Sequence, residues 1–192
     1  MTSAAGDFEL TMDELRVVAR FAAESAQEVL SVYEEAHPDD PRPRAAVDAA
    51  WEFANGARRT KVQRVTSLAA HRAAKEATDE AACLAARAAG DAAAAAYLHP
   101  LAKATQVGHI LRAAACAARV AELTAPDDPD AALGLLARTR QRATPVLIDV
   151  LHRYPIAPTG KSRVAQLMSV LDASLRDASR KGSASREAAG PR

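Results

Sequence analysis

The stretch of sequence that decides the fold is rich in alanine, with SLAAHRAA at residues 67–74, LAARAAGD at residues 84–91 and AAAAAY at residues 92–97. Alanine has the highest helix propensity and a very short side chain, so helices built from it can pack with their backbones close together. No segment of the chain alternates apolar and polar residues with the period of a strand. We therefore predict an all-α fold: a single alanine-rich bundle of six to seven helices, followed by a C-terminal amphipathic helix.

Local signals divide the chain. Thr11 with Glu14 and Thr60 with Gln63 have the spacing of capping boxes, which begin helices. Apolar residues then recur at helical spacing up to Tyr33, which predicts a first helix of about six turns. Prolines near residues 38–43, 126–129 and 155–158 interrupt the pattern. These signals predict four regions, which are a flexible arm at 1–10, a helical bundle domain at 11–155, a linker and amphipathic helix at 156–178, and a disordered basic tail at 179–192.

Composition limits the partners. The 192 residues carry a net charge of +1, which gives no overall field for nucleic acid. The alanine-rich runs are broken by charged residues before they reach the length of a membrane span, and the N-terminus lacks the pattern of a signal peptide. Cys83 and Cys116 have no pairing pattern and suit buried positions in a reducing compartment. We expect a cytoplasmic protein that binds neither nucleic acid nor membrane, and homo-oligomerisation stays open.

Charge is unevenly distributed along the chain. Residues 1–40 contain ten acidic and two basic residues, whereas residues 41–75 contain eight basic and two acidic residues. One interpretation is that the two segments neutralise each other inside the fold. The other is that the acidic segment forms a partner-binding face made of Glu24, Glu28, Glu35, Asp39 and Asp40.

Four polar residues in the alanine-rich stretch form a candidate polar pocket: His71, Arg87, Asp91 and Tyr97. Gly90 supports this idea, because a glycine inside a helix costs about 1 kcal/mol relative to alanine and so indicates a close approach by another helix. The alternative is a row of solvated ion pairs, since residues four apart share a helix face. The histidines and cysteines lack the spacing of zinc ligands, so we expect neither a metal nor a cofactor.

The motifs PDDPRPR at residues 38–44, AAHRAA at residues 69–74 and AARAAG at residues 85–90 resemble those of putative immunity proteins of bacterial toxin systems, the immunity-protein-five-like class. The resemblance covers residues 15–123 and extends more weakly to residue 155. It implies an all-α fold and a role in neutralising a toxin. Where the family tends to carry histidines, this chain has Asp91, Tyr97 and Leu101.

Three functions follow from these observations. The first is a non-enzymatic binding protein that acts by stoichiometric contact with a cognate toxin or another protein. The second is a small helical enzyme or ligand-binding accessory protein, with a pocket between the central helices. The third is an oligomeric scaffold without a site. The resemblance favours the first, and therefore a protein that is not an enzyme.

Overall fold

The computed structural model describes residues 8–187. They form nine α-helices: α1 (Met12–Gln27), α2 (Leu30–Ala36), α3 (Arg42–Ala54), α4 (Lys61–Glu76), α5 (Glu80–Ala94), α6 (Val107–Thr124), α7 (Ala131–Arg142), α8 (Pro145–His152) and α9 (Arg163–Glu187). Single 3₁₀ turns at Ala95–Tyr97 and Ala104–Gln106 lie between α5 and α6. The predicted all-α bundle is confirmed. None of the helices within residues 8–187 is long and apolar enough to cross a membrane.

The core is centred on α5 and α6. Helix α5 packs against α1, α2, α3, α4 and α6, and α6 packs in addition against α7 and α9. Both helices are buried on most of their circumference, largely through alanines whose short side chains permit close packing. Asp91, near the C-terminal end of α5, is therefore almost completely buried, whereas Arg87 on the same helix is exposed.

Side-chain caps begin the helices where the sequence predicts them. The amide of Glu14 donates to Thr11 Oγ1 at 3.2 Å, and Gln63 completes the same kind of box with Thr60. The α5 N-cap is Asp79, whose Oδ2 accepts a hydrogen bond from the amide of Ala82 at 2.8 Å. Each cap satisfies amides that have no partner within the helix, and it does so through residues two or three apart.

The predicted six-turn first helix is interrupted. The chain leaves helical geometry at Val29, where φ is −121° and ψ is 4°, and α2 begins at Leu30. The break redirects the chain so that α2 packs across α5 and buries Leu30 and Tyr33, which are 0% and 1% exposed. Burial of these two side chains favours the break over a continuous helix.

Helix α9 is part of the bundle core. It packs against α6, α7 and α8, and its side chains Leu167, Leu171 and Leu175 are fully buried. Asp172 is also fully buried and accepts a hydrogen bond from the amide of Ala157 at 2.9 Å, which ties the preceding linker to the helix. The bundle therefore continues beyond residue 155, the predicted end of the domain.

The structure describes part of each predicted terminal region. Phe8 packs edge-on against Tyr154 at 4.9 Å between ring centroids, and its amide donates to the carbonyl of Pro100. Aromatic contact thus attaches residues 8–10 of the predicted flexible arm, whereas residues 1–7 lie outside the described residues. Helix α9 ends at Glu187, and the predicted disorder of the basic tail at 179–192 stays a prediction. Residues 188–192 lie outside the described residues.

Candidate functional site

A buried carboxylate lies between the central helices. Asp91 on α5 is 1% exposed. Arg112 on α6 donates to it from two nitrogens, with Nε 2.8 Å from Oδ2 and Nη2 2.6 Å from Oδ1. A buried carboxylate is unfavourable unless it is paired, and the two-pronged guanidinium contact is the geometry that pairs it best. Asp91 and Arg112 thus join α5 to α6 through their side chains.

His71 approaches the same carboxylate from α4. Its Nε2 lies 3.5 Å from Asp91 Oδ1, which is longer than a good hydrogen bond. Burial lowers the pKa of His71, and the positive charge of Arg112 acts in the same direction, whereas the Asp91 carboxylate opposes the shift. The imidazole is therefore mainly neutral at pH 7, and Arg112 balances the charge of Asp91.

Two glycines make room for these two basic side chains. A Cβ atom on Gly90 would lie 2.9 Å from Cε1 and Nε2 of His71, and one on Gly108 would lie 2.9 Å from Nη1 of Arg112. The predicted close approach at Gly90 is therefore present, but the approaching atoms belong to the His71 side chain. A methyl group at either position would displace a side chain that contacts Asp91.

Replacing Gly90 with leucine should lower the free energy of unfolding by about 1–3 kcal/mol, even though leucine favours helix, because the new side chain collides with His71. Gly134→Ala on α7 is the control, since its new Cβ would lie 3.9 Å from Arg138 Nη1, an ordinary contact. That change should raise stability by up to about 1 kcal/mol. Chemical denaturation measures both, and a more stable Gly90→Leu variant would contradict the packing described here.

A solvent-open groove lies beside the Asp91–Arg112 pair. Its volume is about 450 Å³, and its lining residues are His71, Ala74, Lys75, Cys83, Arg87 and Arg112. Lys75 and Arg87 are exposed, and neither forms a salt bridge with another described side chain. The groove therefore presents three permanent positive charges, of which Asp91 compensates one.

Two further ionisable groups lie next to this pair. Burial lowers the pKa of His109, and its Nδ1 is buried without a hydrogen-bond partner among the described residues. Burial raises the pKa of Cys116 to about 12, so its sulfur stays a thiol at neutral pH. Within residues 8–187, no three His, Cys, Asp or Glu side chains come together in a way that could hold a metal ion.

The structure brings together three of the four residues of the predicted polar pocket. His71 and Arg87 line the groove and Asp91 lies beneath it, but Tyr97 lies elsewhere. The Tyr97 hydroxyl donates to the carbonyl of Thr60 at 2.6 Å, and its ring lies under the guanidinium of Arg64 at 4.8 Å. Arg87 forms no ion pair with Asp91 despite the favourable spacing, because Arg112 occupies both carboxylate oxygens.

Arg112 and His109 are the residues of this site that the sequence reasoning missed. Arg112 is the only charged residue between Val107 and Ala118, in a stretch that is otherwise suited to the core. Gly108 precedes it by one helical turn, where a larger side chain would obstruct it. A lone arginine in an apolar helix, one turn after a glycine, was the available signal.

The five residues of the predicted acidic face have different environments. Glu28 pairs with Arg138 and Arg142 of α7 at 3.2 and 3.0 Å, and Glu24 lies 3.7 Å from Arg142. Asp40 accepts hydrogen bonds from Tyr33 and Arg42, and the Arg42 guanidinium holds the pKa of Asp40 well below its usual range. The remaining two, Glu35 and Asp39, are exposed. Contacts within the fold thus occupy three of the five carboxylates.

A basic and apolar surface extends along α4. We define the α4 face as Lys61, Arg64, Val65, Leu68, Arg72 and Lys75, which are all exposed. Residues 61, 65, 68, 72 and 75 follow the i, i+3, i+4 spacing of one helix face. Val65 and Leu68 are 58% and 53% exposed. The acid at the end of α4, Glu76, pairs with Arg42 of α3 at 2.5 Å and is not available to this face. The four bases of the α4 face form no salt bridge with another described side chain; they are Lys61, Arg64, Arg72 and Lys75.

Comparison with known proteins identifies one family. The model of the Imm-5 like putative immunity protein family matches residues 9–144, which is most of the chain and includes the Asp91–Arg112 pair and the α4 face. No curated protein and no solved structure matches.

Proposed function

The chain belongs to the Imm-5 like putative immunity protein family, and from that premise we propose that it is a non-enzymatic protein that neutralises a cognate toxin by stoichiometric contact. The observation that carries the proposal is the α4 face, where two large apolar side chains are exposed among four bases that lack a carboxylate partner among the described residues. An exposed apolar patch with a polar rim is typical of binding surfaces.

The contrast with the rest of the surface supports this choice. Arginines elsewhere in the described part of the chain are mostly paired with carboxylates, such as Arg44 with Glu34 at 2.7 Å and Arg163 with Glu122 at 2.7 Å. On the α4 face the positive charge stays available for a partner. Internal pairing thus neutralises most of the predicted acidic face, whereas the α4 face keeps its charge.

The composition of the α4 face indicates the chemistry of its partner. A toxin surface that fits it would carry carboxylates around an apolar patch that receives Val65 and Leu68. The opposite charges would speed association and set the orientation of the two proteins, and burial of the apolar side chains would slow dissociation. This surface is an alternative to the acidic face made of Glu24, Glu28, Glu35, Asp39 and Asp40.

The test begins with the genes that flank this one in its genome. Each is expressed alone in a heterologous host, and any that arrests growth is expressed again together with this protein. We expect one neighbour to arrest growth, this protein to restore it, and the two purified proteins to form a complex of fixed stoichiometry by light scattering. If no flanking gene arrests growth, or if growth returns without a complex, the proposed function is wrong.

We expect the double variant Lys61→Glu/Arg72→Glu to slow association with that toxin at least tenfold at low salt and to weaken the salt dependence of the rate. Both side chains are exposed, so circular dichroism and thermal stability should stay close to those of the unaltered protein. Stopped-flow or surface plasmon resonance measures the rate.

The matched control is Glu35→Lys/Asp39→Lys, which reverses two exposed charges on the other surface. It should leave the association rate unchanged or raise it slightly. The opposite result, slow association only in this control variant, would assign binding to the acidic face. If both variants changed the association rate equally, the rate would depend on the net charge of the protein and not on a contact at the α4 face.

A further inference from the structure

We propose that the groove beside Asp91 and Arg112 binds a small organic anion with two negative charges, the chemistry that phosphate monoesters and dicarboxylates share. This site shares Lys75 with the α4 face, but it goes beyond the proposed contact with a toxin because its ligand is a small molecule and because Asp91 and Arg112 lie between helices. Its three cationic residues come from three helices, which are Lys75 from α4, Arg87 from α5 and Arg112 from α6.

The charge of the groove favours an anion. Arg112, Arg87 and Lys75 bring three positive charges to one opening of about 450 Å³. Asp91 pairs with Arg112, which covers both of its oxygens, whereas Lys75 and Arg87 form no salt bridge with another described side chain. The groove therefore keeps about two uncompensated positive charges, which a dianion would balance.

The buried pair also fixes one side of the site before any ligand arrives. Asp91 orients Arg112 through Nε and Nη2, which leaves Nη1 without a hydrogen-bond acceptor among the described residues. Gly108 provides the space in which Nη1 lies. A guanidinium held in place in this way loses little conformational entropy when it binds, which increases affinity.

The rest of the lining limits the size and shape of the ligand. Ala74 and Cys83 form an apolar part of the wall, and the volume lies in the usual range for small-molecule sites. His71 is mainly neutral at pH 7 and can donate or accept one hydrogen bond. A compact dianion with a short carbon skeleton matches these features better than inorganic phosphate alone.

The test is a titration of the full-length protein at low ionic strength, in which ¹H–¹⁵N NMR spectra are recorded at each anion concentration. The probes are inorganic phosphate, glycerol 3-phosphate and succinate, with chloride at equal ionic strength as the baseline. We expect saturable shifts of the amides near residues 71–75, 83–87 and 112 with at least one organic dianion. Larger affinity for glycerol 3-phosphate than for succinate would assign a phosphate monoester, and the reverse order would assign a dicarboxylate.

Lys75→Gln/Arg87→Gln should weaken binding of the preferred anion at least about tenfold, because it removes two charged hydrogen-bond donors. Both side chains are exposed, so the fold should tolerate the change. The control Lys61→Gln/Arg72→Gln removes the same charge from α4 outside the groove and should leave affinity within about twofold. The proposal is overturned if no organic dianion gives saturable shifts, or if both double variants weaken binding equally.

Discussion

Replacing Leu171 with alanine should lower the free energy of unfolding by about 2–5 kcal/mol, the usual cost of truncating a fully buried leucine. Leu171 is 0% exposed, and α9 packs against α6, one of the two central helices. The change leaves a cavity in the core of the bundle. Because Leu171 lies beyond residue 155, a loss of this size would also establish that residues 156–178 fold together with the bundle. Urea or guanidinium denaturation measures this loss in the free energy of unfolding.

Its neighbour in sequence supplies the control. Val170 is 47% exposed, so Val170→Ala should change stability by less than about 0.5 kcal/mol. The two variants remove apolar atoms from adjacent residues of one helix and differ mainly in burial. If Leu171→Ala were as mild as Val170→Ala, α9 would not be packed on the bundle as described.

Replacing Arg112 with methionine should destabilise the protein by about 3–5 kcal/mol, because it leaves a buried carboxylate without its partner. Asp91 is 1% exposed and Arg112 covers both of its oxygens. His71 lies 3.5 Å from the carboxylate and is mainly neutral at pH 7, so it can compensate only by taking up a proton. The loss should therefore become smaller as the pH is lowered below 7.

Two further variants separate the buried charge from the lost packing. Asp91→Leu/Arg112→Met removes both charges and should recover much of the loss, since an apolar pair can replace a buried ion pair. Arg138→Met is the surface control, because Arg138 is 61% exposed in its pair with Glu28 and should contribute less than about 1 kcal/mol. A double variant that is less stable than Arg112→Met would show that the pair contributes through packing and not through charge balance.

The sequence predicted only part of the candidate polar site. It missed the partner of Asp91 because that residue is distant along the chain. Asp91 and Arg87 are four residues apart, so helical spacing suggested that they pair. The actual partner of Asp91 is Arg112, 21 residues away on the next helix. Tyr97 was grouped with them because it follows closely in sequence, yet its hydroxyl contacts the carbonyl of Thr60.

The acidic segment illustrates the same limit. Local counting of charges showed that residues 1–40 are acidic and residues 41–75 basic, and the pairs of Asp40 with Arg42 and Glu34 with Arg44 join those segments. Glu28, in contrast, pairs with Arg142, 114 residues further along the chain. Periodicity within one helix cannot identify such a partner.

By itself the sequence determined the helical class and the helix starts at Thr11 and Thr60. These features depend on contacts among residues a few positions apart, so they are encoded locally. Only the tertiary structure decided that α9 joins the core, that Arg112 pairs with Asp91, and that α4 keeps an exposed basic face. Each of these depends on which helices become neighbours, and that arrangement is set by burial of apolar surface over the whole chain.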